Sequence, residues 1–460
     1  MKSGIGWFLE SLSAHGPHRA LCNERGEETY AAFCERVARW RNWLTGQGLA
    51  PGTVTALSGD FGPDSCAALL AMLDLDLIVV PLGGKEAPEA SELLRLASAS
   101  VAIDCRKGFP SGVLRLEPSP PHALIETLRQ NGHPGVILFS SGSSGKPKGI
   151  VHDAAALLER YRKPGAAFCT LTFLLFDHIG GLNTLFYTLR AGGTVVTVES
   201  RAPEAICRAL QTHRVELLPV TPSFLNLLLL DESWQRHDLE SIRLVTYGTE
   251  VMPEHTLQRA VEAFPRAEFR QTYGLSEVGI CASRSKERGS LWMTLGGHGF
   301  QYQVRDGILW IKSQSSMLGY LNAPSPFDSE GWLNTGDEVE QEGEYLRILG
   351  RKSDLINVGG QKVYPAEVES VLLRVPGVRE AAVMGEPHLL LGWVVVASLL
   401  PQSGVDFEAV RREARKVCAA SLSSFKRPVK LHIVNHSLHN ERFKTIRRAG
   451  PEHASKGLPV

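Results

Sequence analysis

The sequence has no excess of charge of either sign, because 49 Lys and Arg balance 49 Asp and Glu. A chain without net positive charge gives no reason to expect nucleic acid as a partner. Its eight cysteines are scattered and contain no Cys-x-x-Cys pair. This spacing excludes a zinc ribbon and a dithiol redox motif, and we expect reduced thiols in a cytoplasmic protein.

Long apolar runs are absent too. The most apolar segment, Leu69–Leu82, is interrupted by Asp74 and Asp76, so it is not expected to cross a bilayer. The N-terminal run is interrupted at Glu10, too early for the apolar core of a signal peptide. We therefore expect a protein without a membrane span or a leader.

What the sequence does contain is a regular alternation of short apolar runs and helical patterns. A length of 460 residues exceeds one ordinary core, so two or three structural units are expected. Alternation of this kind predicts parallel sheets with helical crossovers. The strand-like runs are Thr53–Leu57, Leu77–Leu82, Gly135–Phe139, Thr194–Val198, Val215–Val220, Leu244–Gly248 and Glu268–Gly274.

The pattern changes in the last third of the chain. Asp306 and Gly307 stand between two strand-like runs, which predicts a tight β-hairpin in an antiparallel unit. Further on, a helix is predicted after Pro365, followed by strand, strand, helix and strand. We therefore predict an α/β fold with a large N-terminal domain, residues 1–350, made of two α/β subdomains and a small β-barrel-like part. A small mobile α+β C-terminal domain, residues 351–460, follows it.

The densest run of glycine, hydroxyl and lysine is SSGSSGKPKG, Ser140–Gly149. It follows a buried-strand pattern and precedes a segment from Ile150 that we predict to be a helix, an arrangement in which backbone N–H groups can converge on phosphate. That context makes a flexible linker the weaker interpretation. A Walker P-loop is excluded by spacing, because only two residues separate Gly142 from Gly145 and a proline follows Lys146.

The run is instead similar to the signature loop of the adenylate-forming superfamily, which includes acyl-CoA synthetases, aryl-CoA ligases, luciferases and carrier-protein adenylation domains. The resemblance implies that the loop holds the β- and γ-phosphates of ATP with backbone N–H groups, hydroxyls and the positive charge of Lys148. The other loop residues that this resemblance assigns to ATP are Ser140, Ser141, Gly142, Ser143, Ser144 and Gly145.

A second segment, Gln271–Gly279, resembles the Tyr-Gly-x-Ser-Glu motif of the same family. By that resemblance Tyr273 stacks on adenine, Ser276 contacts the α-phosphate and Glu277 holds Mg²⁺. A single carboxylate beside phosphates suits Mg²⁺, which prefers few protein ligands. The same motif adds to the nucleotide site Thr272 and Gly274.

Two further segments are similar to motifs of the nucleotide site. Trp332–Glu340 contains Thr-Gly-Asp, which implies that Asp337 binds the ribose hydroxyls. Thr246–Glu254 resembles the Gly-x-Glu segment that lines the adenine and acyl pockets. It places Tyr247 in the acid pocket and assigns to the nucleotide site Gly248, Thr249 and Glu250.

Gly350–Glu369 resembles the family's hinge and the loop after it. The resemblance implies that Arg351 contacts ribose or phosphate and that the chain pivots just beyond it. The usual hinge residue is Asp or Lys, and here Ser353 takes that position. Gly359 and Gly360 would let an incoming pantetheine arm approach the backbone closely.

Near the C-terminus, Glu441–Ala449 resembles a Gly-Lys-x-x-Arg motif in which Phe443 replaces the glycine. The resemblance makes Lys444 the residue that reaches the substrate carboxylate and the α-phosphate. The implied reaction is attack of a carboxylate on ATP with release of pyrophosphate, which requires charge neutralisation and alignment. A thiol then attacks the acyl-adenylate, after rotation of the small domain removes Lys444.

The segment Leu174–Leu185 is expected to line the acid pocket, and two interpretations stay open. In acyl- and aryl-CoA ligases a similar Phe-His-x-x-Gly run makes the histidine, here His178, a gate beside the carboxylate. In amino-acid adenylation domains the aspartate, here Asp177, pairs with the substrate ammonium. The first interpretation favours an uncharged or aromatic acid, and the second an amino or β-amino acid. His178 would otherwise only cap a helix.

The acceptor is expected to be a separate molecule, either CoA or a carrier protein, because no carrier domain with its own attachment serine is recognisable. A degenerate member that binds nucleotide or acyl groups without catalysis is the remaining alternative. Retention of the charged site residues argues against it, and these residues are Lys148, Glu277, Asp337, Arg351 and Lys444.

Overall fold

A computed structural model describes residues 4–85, 90–117, 119–141, 147–297, 299–440 and 442–447. The described helices are α1 (Gly6–Ser13), α2 (Tyr30–Gly46), α3 (Pro63–Asp74), α4 (Ser91–Leu96), α5 (Ala123–Asn131), α6 (Ala154–Glu159), α7 (Ile179–Arg190), α8 (Pro203–His213), α9 (Pro222–Asp231), α10 (Glu254–Ala263), α11 (Pro365–Leu372) and α12 (Phe407–Ser421). The described strands are β1 (Arg19–Asn23), β2 (Gly26–Thr29), β3 (Val54–Ser58), β4 (Ile78–Gly83), β5 (Val101–Asp104), β6 (Leu114–Arg115), β7 (Gly135–Ser141), β8 (Pro147–Asp153), β9 (Cys169–Leu171), β10 (Thr194–Val196), β11 (Leu217–Val220), β12 (Leu244–Tyr247), β13 (Glu268–Gln271), β14 (Tyr273–Leu275), β15 (Gly279–Ser285), β16 (Met293–Gly296), β17 (Phe300–Arg305), β18 (Ile308–Ser313), β19 (Gly319–Tyr320), β20 (Leu333–Glu342), β21 (Tyr345–Arg351), β22 (Ile356–Val358), β23 (Gln361–Val363), β24 (Val378–His388), β25 (Gly392–Pro401) and β26 (Lys430–Ile433).

Two sheets are built mainly from parallel strands, as the alternating pattern predicts. The first has the order β13-β12-β11-β9-β10-β1-β2, and its edge strand β2 runs antiparallel to β1. The second has the order β19-β8-β7-β4-β3-β5-β6, in which β7, β4, β3 and β5 are parallel. Central strands such as β3 are buried along their whole length, which suits parallel sheets covered on both faces. The prediction of two α/β units is confirmed.

The prediction of a helix from Ile150 is wrong. Pro147–Asp153 is strand β8, paired antiparallel with β7. The β-branched Ile150 and Val151 are fully buried in this strand, an environment that favours extended backbone. Helix α6 begins only after Asp153, whose Oδ1 accepts from the N–H groups of the second and third residues that follow it, at 2.9 and 3.1 Å. The signature loop therefore joins two antiparallel strands and does not lead directly into a helix.

The third sheet is antiparallel and has the order β14-β15-β16-β21-β20-β18-β17. Its β17–β18 connection is the predicted hairpin, with Asp306 at φ 51° and Gly307 at φ 74°. Positive φ at both central residues is what a two-residue type I′ turn requires. The predicted antiparallel unit between the α/β part and the C-terminus is thus confirmed.

The small C-terminal unit has its own sheet and its own core. Its sheet contains β22 to β26, and its buried apolar cluster draws on residues from Ile356 to Leu431. Pro365 occupies the first turn of α11, where its missing N–H has no cost, and this start agrees with the prediction. The large N-terminal and small C-terminal parts of the predicted α/β fold are both present.

All eight cysteines lie among the described residues and are free, and seven of them are buried. Burial raises the pKa of Cys66 and of Cys105 to about 12, so these thiols stay protonated. No described helix combines the length and the apolar character that crossing a bilayer requires.

Candidate active site

A cavity opens at the carboxyl edge of the first sheet. Strands β9, β11, β12 and β13 run parallel, so the segments that follow them meet at one edge, where α/β sheets commonly bind ligands. The cavity measures about 300 Å³, counting its open mouth. Its apolar walls are Phe173, Leu174, Leu175 and Phe443. Its cationic groups are Arg201, Arg442 and Lys444.

Lys148 and Glu277, both predicted to bind ATP or its Mg²⁺, meet through Tyr320, a residue that no motif singled out. The Lys148 ammonium lies 4.9 Å from the centre of the Tyr320 ring, and the Tyr320 hydroxyl donates to Glu277 Oε1 at 2.6 Å. Burial and the neighbouring carboxylate raise the pKa of Tyr320, so the phenol stays a hydrogen-bond donor. The Lys148 ammonium and the Glu277 carboxylate therefore both contact Tyr320, next to strands β7 and β8, which flank the signature loop.

Asn322 holds the C-terminal end of the signature loop, at Pro147 and Gly149. No sequence motif predicts a role for this residue. Asn322 Oδ1 accepts from the Gly149 N–H at 3.1 Å, and its Nδ2 donates to the Pro147 carbonyl at 2.8 Å. At the entry, Ser140 pairs across the strands with Lys148. The loop residues that lie outside the described residues are Gly142, Ser143, Ser144 and Gly145.

Replacing Asn322 with alanine is expected to raise the KM for ATP, the ligand that the resemblance implies, about 30-fold, because two hydrogen bonds of about 1 kcal/mol each no longer hold the loop exit. ATP–pyrophosphate exchange at varied ATP concentration measures the effect. Asn23→Ala is the matched control, since Asn23 caps a remote exposed turn by accepting from the Arg25 N–H. An unchanged KM in Asn322→Ala would show that the loop exit needs no such support.

Residues predicted to contact adenine and ribose form one connected group. The Tyr273 hydroxyl donates to Asp337 Oδ2 at 2.5 Å, and Arg351 Nε lies 3.4 Å from Asp337 Oδ1. Asp337 and Arg351 stand opposite each other on β20 and β21. Burial raises the pKa of Asp337, while Arg351 and the tyrosine hydroxyl act in the opposite direction. The nucleotide contacts of the three residues stay predictions.

Glycine is required at two close backbone approaches, one between the residues that follow β12 and β13 and one between β14 and β15. A Cβ on Gly248 would lie 2.6 Å from Thr272 Oγ1, and a Cβ on Gly274 would lie 2.6 Å from the Gly279 carbonyl oxygen. Thr272 donates to the Tyr247 carbonyl through its N–H at 2.7 Å and its hydroxyl at 3.1 Å. These contacts fix the relative positions of two predicted nucleotide-binding segments.

The backbone at Ser276 is fixed by a buried histidine. His152 Nε2 lies 2.7 Å from the Ser276 carbonyl oxygen. Burial lowers the pKa of His152 to about 4, so the imidazole is neutral and must carry its proton on Nε2 to donate this bond. His152 thus positions the residue next to Glu277.

Glu250, predicted as a nucleotide-site residue, bridges two parts of the protein. Its Oε2 accepts from the Ser223 hydroxyl at 2.6 Å, at the start of α9. Its Oε1 accepts from the Thr445 N–H at 2.7 Å. The neighbouring Thr249 lines the cavity with a positive φ of 73°. Glu250 therefore ties the C-terminal segment, residues 437–440 and 442–447, to the large unit.

His178 lines the cavity and also caps a helix. Its Nδ1 accepts from the Gly180 N–H at 3.1 Å, at the start of α7. Burial, followed by the charges of Lys444 and Arg442, holds the pKa of His178 well below its ordinary value. A neutral imidazole that accepts at Nδ1 carries its proton on Nε2. The capping role and a donor role toward the cavity are therefore compatible.

Asp177 and Tyr247, both predicted in the acid pocket, do not line this cavity. Asp177 Oδ2 lies 3.0 Å from Arg442 Nη2 and 3.5 Å from Lys85 Nζ. Tyr247 belongs to the buried core under the first sheet. The Asp177 charge is thus already compensated by two cations of the chain.

Lys444 is brought into the cavity by the C-terminal segment. Burial lowers the pKa of Lys444, and the cations Arg442 and Arg351 add to this, while the carboxylates of Glu250 and Glu277 oppose it. The preceding residue, Phe443, has φ 51°. This left-handed conformation costs a residue other than glycine about 1–2 kcal/mol, so packing of the ring must offset it.

Comparison with known proteins identifies the family. The family model described as AMP-binding enzyme matches residues 8–321. The chain belongs to the AMP-binding enzyme family. The model described as AMP-binding enzyme C-terminal domain matches residues 367–444.

Related enzymes are acid–thiol ligases. An indoleacetate–CoA ligase of Aromatoleum aromaticum is 28% identical over 83% of this chain and 84% of its own. The fatty acid–[acyl-carrier-protein] ligase ScoC of Streptomyces coeruleorubidus is 26% identical over 96% of this chain and 95% of its own. The structure of the anthranilate CoA ligase AuaEII with anthranoyl-AMP shares the fold, with a TM-score of 0.80 at 22% identity over 95% of both chains. This AMP-binding enzyme activates a carboxylic acid with ATP to an acyl-adenylate and transfers the acyl group to a thiol.

In this AMP-binding enzyme the C-terminal segment, residues 437–440 and 442–447, is anchored on two buried carboxylates of the small domain. Glu380 pairs with His439 Nδ1 at 2.9 Å. Glu369 binds Arg447 in bidentate geometry, at 2.8 Å from Nε and 2.6 Å from Nη2. Arg447 is the arginine of the Lys-x-x-Arg motif, whereas neither glutamate carries a sequence signal of its own.

The hinge predicted at Ser353 lies in an exposed 3₁₀ turn, Lys352–Asp354, directly after the third sheet ends. Ser353 Oγ donates to its neighbour Asp354 at 3.0 Å. The boundary predicted between residues 1–350 and 351–460, and the pivot itself, stay predictions.

The glycine pair of the predicted thiol channel forms the turn between β22 and β23. Gly359 has φ 57° and Gly360 has φ 88°, and their flanking residues pair across the turn. A two-residue turn of this kind demands positive φ at both positions, which is a structural reason for the pair. A Cβ on Gly360 would meet nothing within 4 Å. The contact with a pantetheine arm stays a prediction.

Proposed function

We propose that the cavity is where the acid carboxylate meets the α-phosphate of ATP. The observation that carries this proposal is the convergence of His178, from the large domain, and Lys444, from the C-terminal segment, on one cavity. The Lys444 ammonium supplies positive charge to both anionic reactants, and the neutral His178 donates from Nε2 to a carboxylate oxygen. These contacts hold the nucleophile in line with the phosphate that it attacks.

The remaining charged residues hold the rest of the nucleotide. Lys148 stabilises the departing pyrophosphate together with the signature loop. Asp337 accepts hydrogen bonds from the ribose hydroxyls, and Arg351 opposes the rise in the Asp337 pKa that burial causes. Rotation about residues 352–354 then withdraws Lys444 and presents Gly360 to the thiol.

Mg²⁺ fits beside Glu277. Within the described residues, no three His, Cys, Asp or Glu side chains cluster as a cage built only from protein would require. Glu277 has one oxygen on the Tyr320 hydroxyl, and Mg²⁺ typically takes one or two carboxylates together with phosphate oxygens and water. Glu277 would hold the ion, whose charge would neutralise phosphate oxygens.

The acid is proposed to be uncharged apart from its carboxylate, and either aromatic or aliphatic. The cavity walls are apolar, and its charged lining groups are cationic, so an ammonium finds no partner there. Asp177, the partner that an amino acid would need, lies outside the lining and pairs with Arg442 and Lys85. An amino acid or β-amino acid is the second candidate, since release of Arg442 would free the Asp177 carboxylate.

The acceptor is proposed to be the phosphopantetheine thiol of CoA or of a separate carrier protein. The two acceptors are represented among relatives, by an indoleacetate–CoA ligase and a fatty acid–[acyl-carrier-protein] ligase. A cytoplasmic location, where both acceptors are available, agrees with the free cysteines of the chain.

ATP–pyrophosphate exchange over a panel of acids tests this proposal. The panel contains benzoate, indoleacetate, octanoate, phenylalanine and β-alanine. The three acids without an ammonium group are expected to exceed the two amino acids in kcat/KM by at least about tenfold. Asp177→Asn is the control variant, and it should leave the order of the uncharged acids unchanged.

Preference for an amino acid, lost in Asp177→Asn, would establish the second candidate instead. If no acid supports ATP–pyrophosphate exchange while calorimetry shows intact ATP binding, the protein binds nucleotide without catalysis.

A further inference from the structure

One wall of the acid cavity is supplied by the C-terminal segment itself. The Phe443 ring lies 5.4 Å from the Phe173 ring and 5.3 Å from the Phe224 ring, measured between centroids. Phe173 and Phe224 belong to the buried core of the large domain, whereas Phe443 is partly buried and lines the cavity. The ring therefore closes the cavity from the side that carries Lys444.

Hydrogen bonds hold the backbone that carries this ring. Asn440 Oδ1 accepts from the N–H groups of Arg442 and Lys444, at 2.9 and 3.1 Å, and forms a tight turn around Phe443. The Thr221 hydroxyl donates to the Phe443 carbonyl at 3.2 Å and ties the turn to the large domain. With φ at 51°, Phe443 occupies a conformation that favours glycine, so the turn fixes the direction in which its Cβ leaves the backbone.

Ring and ammonium move together because Phe443 and Lys444 are consecutive. Docking of the segment places the Lys444 side chain in the cavity and, in the same movement, presses the ring against Phe173. An acid bound beforehand must leave room for that ring. An acid too bulky for the space would hold the segment out, and with it the ammonium.

We propose that Phe443 determines which acids this enzyme adenylates, admitting compact acids and rejecting bulky ones when the segment docks. This inference rests on the proposed assignment of the cavity as the acid site. The size limit is thereby set by a residue of the small domain, while the remaining apolar walls belong to the large domain.

Phe443→Gly and Phe443→Trp test the inference in opposite directions. The measurement is kcat/KM in ATP–pyrophosphate exchange for butanoate, octanoate, hexadecanoate, benzoate and naphthoate. Glycine suits the positive φ, and it is expected to raise the ratio of bulky to compact acids at least about tenfold. Tryptophan should lower the same ratio, and the KM for ATP should stay unchanged in both variants.

Two further variants separate the possible failures. Phe109→Ala is the matched control, since this ring packs on Trp40, 4.5 Å away between centroids and outside the cavity lining. Leu174→Phe narrows the cavity from the large domain. If Leu174→Phe shifts the ratio and Phe443→Gly does not, the inference about the ring is wrong and the acid site stands. If neither variant shifts it, the acid site is wrong as well.

Loss of exchange with every acid in Phe443→Gly, at an unchanged melting temperature, would also overturn the proposal. The ring would then serve to place Lys444 and would not discriminate between acids.

Discussion

Replacing Lys444 with alanine is expected to lower the rate of acyl-adenylate formation by at least about 100-fold while sparing the second half-reaction. The ammonium lines the cavity in which two anions must meet, and removal of one such charge from a buried site costs about 10²–10³-fold in rate. ATP–pyrophosphate exchange measures the first half-reaction. Transfer of the acyl group from a supplied acyl-adenylate to the thiol measures the second, and it should proceed at the rate of the parent enzyme.

The matched control for this variant is Lys416→Ala. Lys416 lies on α12 with its side chain 77% exposed, and it pairs with Glu413 at 3.5 Å on the same helix. Its loss should leave both half-reactions unchanged. Full exchange activity in Lys444→Ala would refute the role assigned to Lys444, and equal loss of both half-reactions would point to a general defect of the C-terminal segment.

Glu277→Gln is expected to lower exchange by at least about 100-fold and to raise the Mg²⁺ concentration needed for half-maximal activity. The amide oxygen still accepts from the Tyr320 hydroxyl, so the substitution removes charge and leaves shape and hydrogen bond in place. Titration of exchange activity with MgCl₂ at fixed ATP measures the shift. Tyr320→Phe, which removes only the supporting hydroxyl, should raise the Mg²⁺ requirement by a smaller factor of about ten.

Glu287→Gln is the control for loss of a carboxylate, because Glu287 is exposed on the turn after β15. It should titrate with Mg²⁺ as the parent does. A Glu277→Gln enzyme with a normal Mg²⁺ requirement would show that the ion is held elsewhere, whatever its remaining rate.

The features that sequence predicted correctly depend on residues that are neighbours in the chain. Asp306-Gly307 specifies its hairpin because both residues tolerate positive φ, and Pro365 marks a helix start because it lacks an N–H. The helix predicted from Ile150 was wrong because that prediction, too, used only residues that are neighbours in the chain. The buried β-sheet position of Ile150 is created by β7 and β19, which a local pattern does not reveal.

The contacts that sequence did not predict join residues far apart in the chain. Tyr320 reaches Glu277 across 43 positions, and its role depends on the pairing of β19 with β8. Glu369 and Glu380 look like ordinary glutamates until folding places Arg447 and His439 against them. These ion pairs depend on how the domain packs, so a short sequence motif could not predict them.

The signature loop is not a portable unit. Asn322 contacts Gly149 and Pro147 from 173 and 175 positions away, so the exit of the loop depends on a residue beside β19. A graft of Ser140–Gly149 into another scaffold would lack the two Asn322 contacts that hold the loop exit. A functional chimera would therefore need β7, β8 and β19 to be exchanged together. A circular permutation that opens the chain between β8 and β19 would be tolerated only if the two strands still pair.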